Sequence, residues 1–271
     1  MTPSQAYDGA PGLRVELDGA VLRLTLDRAD KRNAIDEAMM VGLVRAVGAA
    51  EEDEAVRAVV LTGEGDHFCG GADIIARNAG DERPRTGSIQ RRVPHQAHRL
   101  ISLITSIQVP VVCVVRGWAA GIGFQFALAA DFTVAAEDAT FWEPFVSRGF
   151  TPDSGASWML TRRVGAVRAR ELLLLGRRLS GAEAVEWGAI HAAVPADEVE
   201  ATAAALVDQL AAGPTVALGL TKWALHEAEA AGLEESMRHE ALALELSSRS
   251  EDFREGLGAF REKRDPDFRG R

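Results

Sequence analysis

Cysteine is scarce in this chain of 271 residues: there are two, Cys69 and Cys113, both in apolar or glycine-rich surroundings. A disulfide framework is therefore not expected, and a cytoplasmic location is. No apolar run reaches the ~18 residues that a membrane-spanning helix needs. Met1–Pro11 has neither a basic n-region nor an apolar h-region, so no signal peptide is expected there. Residues 1–12 read as a disordered lead-in. An excess of positive charge is also lacking. The net charge of −10 argues against nucleic acid or an anionic membrane as a main partner. Local clusters of Lys and Arg could still hold a polyanion.

Several catalytic signatures are missing. Gly121-Ile122-Gly123 follows an apolar run, but the third glycine of a dinucleotide fingerprint is replaced by Phe126. No G-x-x-x-x-G-K-[ST] phosphate loop exists. His95 and His98 lie three apart with no further ligands at a known spacing, so no metal site is expected. Ser154 and Ser157 have no G-x-S-x-G context.

The patterns that are present suggest alternating strands and helices. Leu13–Leu17 and Val21–Leu26 read as strands joined by an Asp18-Gly19 turn. Asp36–Asp53 carries Met39, Met40, Leu43, Val44 and Val47 at helical spacing, with Asp36 as N-cap. Ala58–Thr62 and Val111–Val115 are short apolar strands, with a helix at Val93–Ile107 between them. Gly63–Arg92 is mostly polar and reads as loose near Asn78–Gly87. Gly121–Ala130 reads as a helix of small residues and Phe132–Ala135 as a strand. From Ala166 onward the pattern is mostly helical, broken near Ile190–Pro195 and at Gly213-Pro214. Strand-strand-helix units followed by a run of helices give an α/β class with a helical C-terminal part.

Two glycine-bearing turns stand out. His67-Phe68-Cys69-Gly70-Gly71-Ala72-Asp73-Ile74 and Arg116-Gly117-Trp118-Ala119-Ala120-Gly121-Ile122-Gly123 each follow a predicted strand, about fifty residues apart. Glycine permits tight approach and positive φ, so each turn can free a backbone N–H. Two such groups aimed at one point would form an oxyanion hole for charge developing on a carbonyl oxygen. By position the donors would be the N–H groups of Ala72 and Ile122.

With Leu26–Ile35, Phe141–Gly165 and the terminal Phe260-Arg261-Glu262-Lys263-Arg264, these turns resemble the signature of the crotonase superfamily, the enoyl-CoA hydratase/isomerase family. The resemblance runs from about Leu13 to Phe268. It implies a crotonase-like (ClpP/crotonase) β-β-α spiral over residues 13–200. A helical region over 201–271 would close the coenzyme A site and assemble a homotrimer or a dimer of trimers. It also implies enolate chemistry on an acyl-CoA thioester, with coenzyme A carried as part of the substrate and no separate cofactor. Lys31, Ala34 and Lys263 would border coenzyme A, with Arg32 a weaker candidate. Gly71, Asp73, Ile74, Gly121, Gln125 and Phe145 would line the substrate, and His67 lies close to the first turn.

The two glutamates of family hydratases would fall at Gln125 and Phe145, and neither side chain carries a proton near neutral pH. Pro152-Asp153-Ser154-Gly155 resembles instead the loop of isomerase-like members, including phenylacetate-pathway isomerases. A single carboxylate suffices to shift a double bond between positions 3 and 2. Asp153 is thus the expected base, although an Asp before Ser-Gly and a helix is also a good N-cap. Glu143 is a rival acid. A hydratase of unusual mechanism, a hydrolase or dehalogenase with Asp153 as nucleophile, and a non-catalytic coenzyme A-binding subunit remain alternatives.

Overall fold

The computed structural model describes residues 7–74 and 85–271. Six strands form the main sheet in the order β1-β2-β3-β4-β6-β9: Leu13–Asp18, Val21–Leu26, Ala58–Gly63, Val111–Val115, Phe132–Ala136 and Ala192–Val194. The β1-β2 pair is antiparallel, with Asp18 opposite Val21 across the expected turn; every other pair in this sheet is parallel. Parallel strands covered on both faces read as continuous apolar runs, and β4 (VVCVV) is buried at every position. A second sheet holds β5 (Trp118–Ala120), β7 (Thr140–Trp142) and β8 (Arg178–Ser180) in the order β5-β7-β8.

The helices are α1 (Glu37–Ala50), α2 (Ser88–Arg92), α3 (Ala97–Ser106), α4 (Ile122–Ala129), α5 (Ala156–Leu174), α6 (Gly181–Glu186), α7 (Val199–Ala211), α8 (Thr215–Ala228), α9 (Leu233–Ser247) and α10 (Glu251–Glu262). Asp36 caps α1 as expected, accepting from the Met39 N–H at 3.0 Å. No single helix among the described residues is long and apolar enough to cross a membrane.

The structure departs from the sequence reading in identifiable places. The lead-in is docked from Tyr7, whose hydroxyl donates to Asp53 at 2.9 Å and whose ring packs on the core. The helix expected from Val93 begins as a 3-10 turn at Val93–His95, and α3 starts only at Ala97. Strands β8 and β9 interrupt the region read as mostly helical. At three residues each they are too short to show a period-2 pattern. The boundary expected after residue 200 falls inside α7, which packs on β3, β4, β6 and β9 and belongs to the core. Most of the segment read as loose near Asn78–Gly87 lies outside the described residues.

Asp131 and Lys222 tie the C-terminal helices to the sheet. The Lys222 ammonium donates to Asp131 at 2.7 Å and to the Ile104 and Val109 carbonyls, while Asp131 also accepts from the Val111 N–H. Both cysteines are free and fully buried. Burial pushes the Cys69 thiol up to about 12.

Candidate active site

The first glycine turn is locked from below by Asn33. This side chain has no exposed surface and donates to the Glu64 carbonyl at 2.9 Å and the His67 carbonyl at 2.6 Å. It also accepts from the Arg28 N–H at 2.8 Å. Its φ of +55° lies in the left-handed region, which Asn tolerates better than most residues. Arg28 extends the lock, donating to the Ala34 carbonyl at 2.7 Å and pairing with Asp73 at 3.0 Å and Asp36 at 3.1 Å.

Beyond this anchor the chain pairs briefly with residue 35. Ile35 N–H donates to the Gly71 carbonyl and Asp73 N–H to the Ile35 carbonyl, both at 2.8 Å. Those bonds use the groups on either side of Ala72 N–H, which points the other way in an extended segment. The second turn runs alongside the first. Cys69 N–H donates to the Trp118 carbonyl and Ala120 N–H to the Cys69 carbonyl, at 2.8 and 2.9 Å. Gly121 has φ +53° and ψ −121°, a conformation closed to L side chains, and opens α4. Ile122 is the first residue of α4, so its N–H has no intrahelical acceptor.

Both turns border one cavity of about 330 Å³. Gly71, Ala72, Asp73, Ile74, Gly121 and Ile122 form one part of its lining, and Phe145, Arg148, Phe150 and Asp153 another. Asp153 is exposed at the cavity surface. The competing capping role is not adopted: the N-cap of α5 is Gly155, which takes no side-chain hydrogen bond. Ser154 at φ +49° and Gly155 at φ +83° turn the chain, and Ala156 N–H donates to the Asp153 carbonyl. A left-handed non-glycine residue is uncommon and costs on the order of 1 kcal/mol. Here it displaces Asp153 from the cap and leaves it at the cavity.

Glu143 and Gln125 are corrected by the structure. Neither lines the cavity; both are sealed behind its wall, at 1% and 0% exposure. No hydrogen-bond partner within normal distance reaches the Glu143 carboxyl or the Gln125 amide among the described residues. Burial first, and then the nearby charge of Asp153, push the Glu143 carboxyl well above its ordinary 4.5; the Gln125 amide opposes this weakly. Glu143 is therefore an acid whose proton is held more tightly than usual, out of direct contact with the cavity. Phe145, by contrast, lines the cavity as expected.

A second cavity of about 640 Å³ shares Asp73 and Arg148 with the first. Lys31, Arg32 and Ala34 line it, with Trp118, Trp142 and Arg178. Arg178 lies over both indoles, 5.1 Å from Trp118 and 4.7 Å from Trp142, and Arg148 lies 5.9 Å from the Trp142 ring. Four cations and two aromatic faces make a surface suited to a phosphorylated, ring-bearing ligand. The sequence reading had assigned no role to Arg148 or Arg178; only spatial proximity joins them to Lys31. Lys263, expected beside coenzyme A, caps the C-terminus of α10 at φ +56° and lines neither cavity. Among the described residues no group of three or more His, Cys, Asp or Glu is placed to hold a metal.

A family model described as enoyl-CoA hydratase/isomerase matches residues 16–271. The chain is similar to the 1,2-epoxyphenylacetyl-CoA isomerase of Escherichia coli (strain K12), with 36% identity over 255 residues that cover 94% of this chain and 97% of that protein. It is 32% identical to the 2,3-dehydroadipyl-CoA hydratase of the same organism, over 93% of this chain and 96% of that protein. Its fold matches the crystal structure of an enoyl-CoA hydratase from Bacillus anthracis with a TM-score of 0.89, at 29% identity, covering 96% of this chain and all of that one.

Proposed function

We propose that this chain, which belongs to the enoyl-CoA hydratase/isomerase family, moves a double bond of an acyl-CoA thioester from position 3 to position 2. Asp153 takes a proton from C2 of the 3-enoyl thioester. The electron pair spreads over C2, C4 and the thioester oxygen as a dienolate, stabilised by the N–H groups of Ala72 and Ile122. The protonated Asp153 then returns the proton to C4, leaving the carbon skeleton unchanged and the base regenerated. Lys31, Arg148 and Arg178 would hold the phosphates of coenzyme A, which enters as part of the substrate; no further cofactor is required.

One observation carries this reading. Asp153 borders the same cavity as both glycine turns, while Gln125 and Phe145 fill the positions where a hydratase would have its glutamates. Adding water calls for a group that activates it as well as one that manages the proton at C2. At this cavity Asp36 and Asp73 also pair with Arg28, and Glu37 accepts from Gln96.

The test is incubation of the full chain with 3-hexenoyl-CoA and, separately, with 2-hexenoyl-CoA. Formation of the conjugated 2-enoyl thioester from the first, with no 3-hydroxyacyl product from the second, is expected. Rapid hydration of 2-hexenoyl-CoA would replace the proposal with the hydratase reading. A stable mass adduct on Asp153 would replace it with nucleophilic attack.

A further inference from the structure

The wall contributed by α2, the 3-10 turn and α3 differs in character from the rest of the main cavity. Val93 and Ala97 give it an apolar surface, yet Arg92 lines it too. Arg92 is half-buried, and its Nε has lost contact with solvent without gaining an acceptor among the described residues. No ion pair to it is found among those residues, whereas its neighbour Arg91 is exposed to solvent. The remaining charged groups of this cavity each have a role. Asp36 caps α1 and pairs with Arg28, Asp73 pairs with Arg28, and Glu37 accepts from Gln96 at 3.2 Å. Arg148 lies against Trp142 and faces the second cavity as well.

A guanidinium drawn partly out of water with no ion pair among the described residues is costly to maintain. Its planar fork fits a carboxylate or a phosphate, and the phosphates of coenzyme A are assigned above to Lys31, Arg148 and Arg178. The glycine turns and Asp153 serve the thioester end, and Arg92 stands on α2, a separate element of the same cavity wall. Ile101 of α3 lies 3.9 Å from the Cβ position of Gly155, beside the Asp153 loop. Arg92 precedes Ile101 by nine residues, across α3 and the 3-10 turn.

We infer that the preferred acyl group ends in a carboxylate distant from the thioester, and that Arg92 receives it. The inference rests on the acyl-CoA reading above and adds the substrate class, the coenzyme A thioesters of dicarboxylic acids.

Binding of saturated thioesters tests this without any reaction. Succinyl-, adipoyl- and suberoyl-CoA are titrated calorimetrically into the full chain beside butyryl-, hexanoyl- and octanoyl-CoA. At one chain length or more the diacid thioester is expected to bind ~10- to 100-fold tighter than its monoacid counterpart, the range of a charge-assisted pair. Arg92→Met should erase that ratio while leaving hexanoyl-CoA binding within a few-fold. Arg92→Lys should restore part of it. Equal binding of the two series by the wild type at every length would overturn the inference, even if Arg92→Met failed to fold. So would an equal loss on both series in Arg92→Met. Failure of every thioester to bind would instead sink the acyl-CoA reading, and this inference with it.

Discussion

At the scale of single residues, the chemistry depends on which carboxyl reaches the cavity, and the backbone decides it. The left-handed Ser154-Gly155 pair turns Asp153 away from the helix cap, while Glu143 follows β7 into the interior. Changing Glu143 to Gln should alter stability rather than chemistry. The folded chain holds this carboxyl well above 4.5, whereas the unfolded chain titrates near 4.5. The folded state therefore binds the proton more tightly. This group's stabilising contribution is complete below the unfolded pKa and is lost as pH rises through the folded one. Glu143→Gln removes that loss, so its melting temperature should exceed the wild type's by a margin that widens as pH rises above the ordinary 4.5. A margin that does not change with pH would contradict a buried carboxyl whose proton is held more tightly than usual. Asn33→Ala should cost about 2–4 kcal/mol in urea unfolding, because it removes a fully buried amide that satisfies two part-buried carbonyls and the Arg28 N–H. A cost below about 1 kcal/mol would mean that the first turn does not depend on this lock. That Asp153, Ala72 and Ile122 would lie at one site could be read from sequence because glycines and a Pro-Asp pair mark them locally. The roles of Asn33 and Arg28 could not, since their partners lie up to 45 residues away. The burial of Glu143 and Gln125 was equally hidden: a polar residue carries no sign of its neighbours in the fold.

At the scale of elements, the two glycine turns work as a pair because nothing larger fits between them. A Cβ on Gly123 would lie 2.6 Å from the Cys69 Cβ and 2.9 Å from the Cys69 carbonyl oxygen. Gly123→Ala must therefore push the start of α4 off the first turn and misplace the Ile122 N–H. A loss of ~100-fold or more in double-bond migration is expected, comparable with deleting one oxyanion donor. Gly48→Ala is the control. Gly48 lies within α1, and its added methyl would meet only Leu103, at 3.8 Å. That change should raise stability by about 0.5–1 kcal/mol and leave turnover alone. Similar losses in both variants would argue that the cavity tolerates no glycine change at all, rather than a specific need at the turn. All strands of the main sheet but β9 were legible, because β1 and β2 alternate apolar with polar residues and β3, β4 and β6 are short apolar runs. The second sheet was not, because β5, β7 and β8 have three residues each and are defined by the strands they pair with.

At the scale of the whole molecule, the fold is the crotonase fold of an acyl-CoA enzyme family, and its C-terminal helices leave apolar side chains uncovered in the single chain. Leu225, Leu233, Met237, Leu242, Leu244 and Phe260 are between 49% and 83% exposed on α8, α9 and α10. Such exposed apolar side chains point to assembly, and the trimer or dimer of trimers that the family resemblance implies predicts the mass of three or six chains in light scattering. Leu244→Glu should lower that mass or the midpoint of dissociation on dilution; an unchanged assembly would place the interface elsewhere. The order of the longer strands and helices was readable from sequence. The meeting of Lys31 with Arg148 and Arg178 was not, because it depends on how the two sheets come together. The central claim is that Asp153 carries one proton from C2 to C4 beneath the two backbone donors. The most direct measurement follows 3-hexenoyl-CoA in D₂O by mass spectrometry and NMR, with wild type beside Asp153→Asn. Migration to the 2-enoyl thioester in the wild type, with any deuterium confined to C2 and C4, and a loss of ~10²–10⁴-fold in the variant at unchanged thioester affinity, is the expected result. Equal migration in Asp153→Asn, or wild type that binds the thioester yet neither moves the double bond nor exchanges at C2, would contradict it.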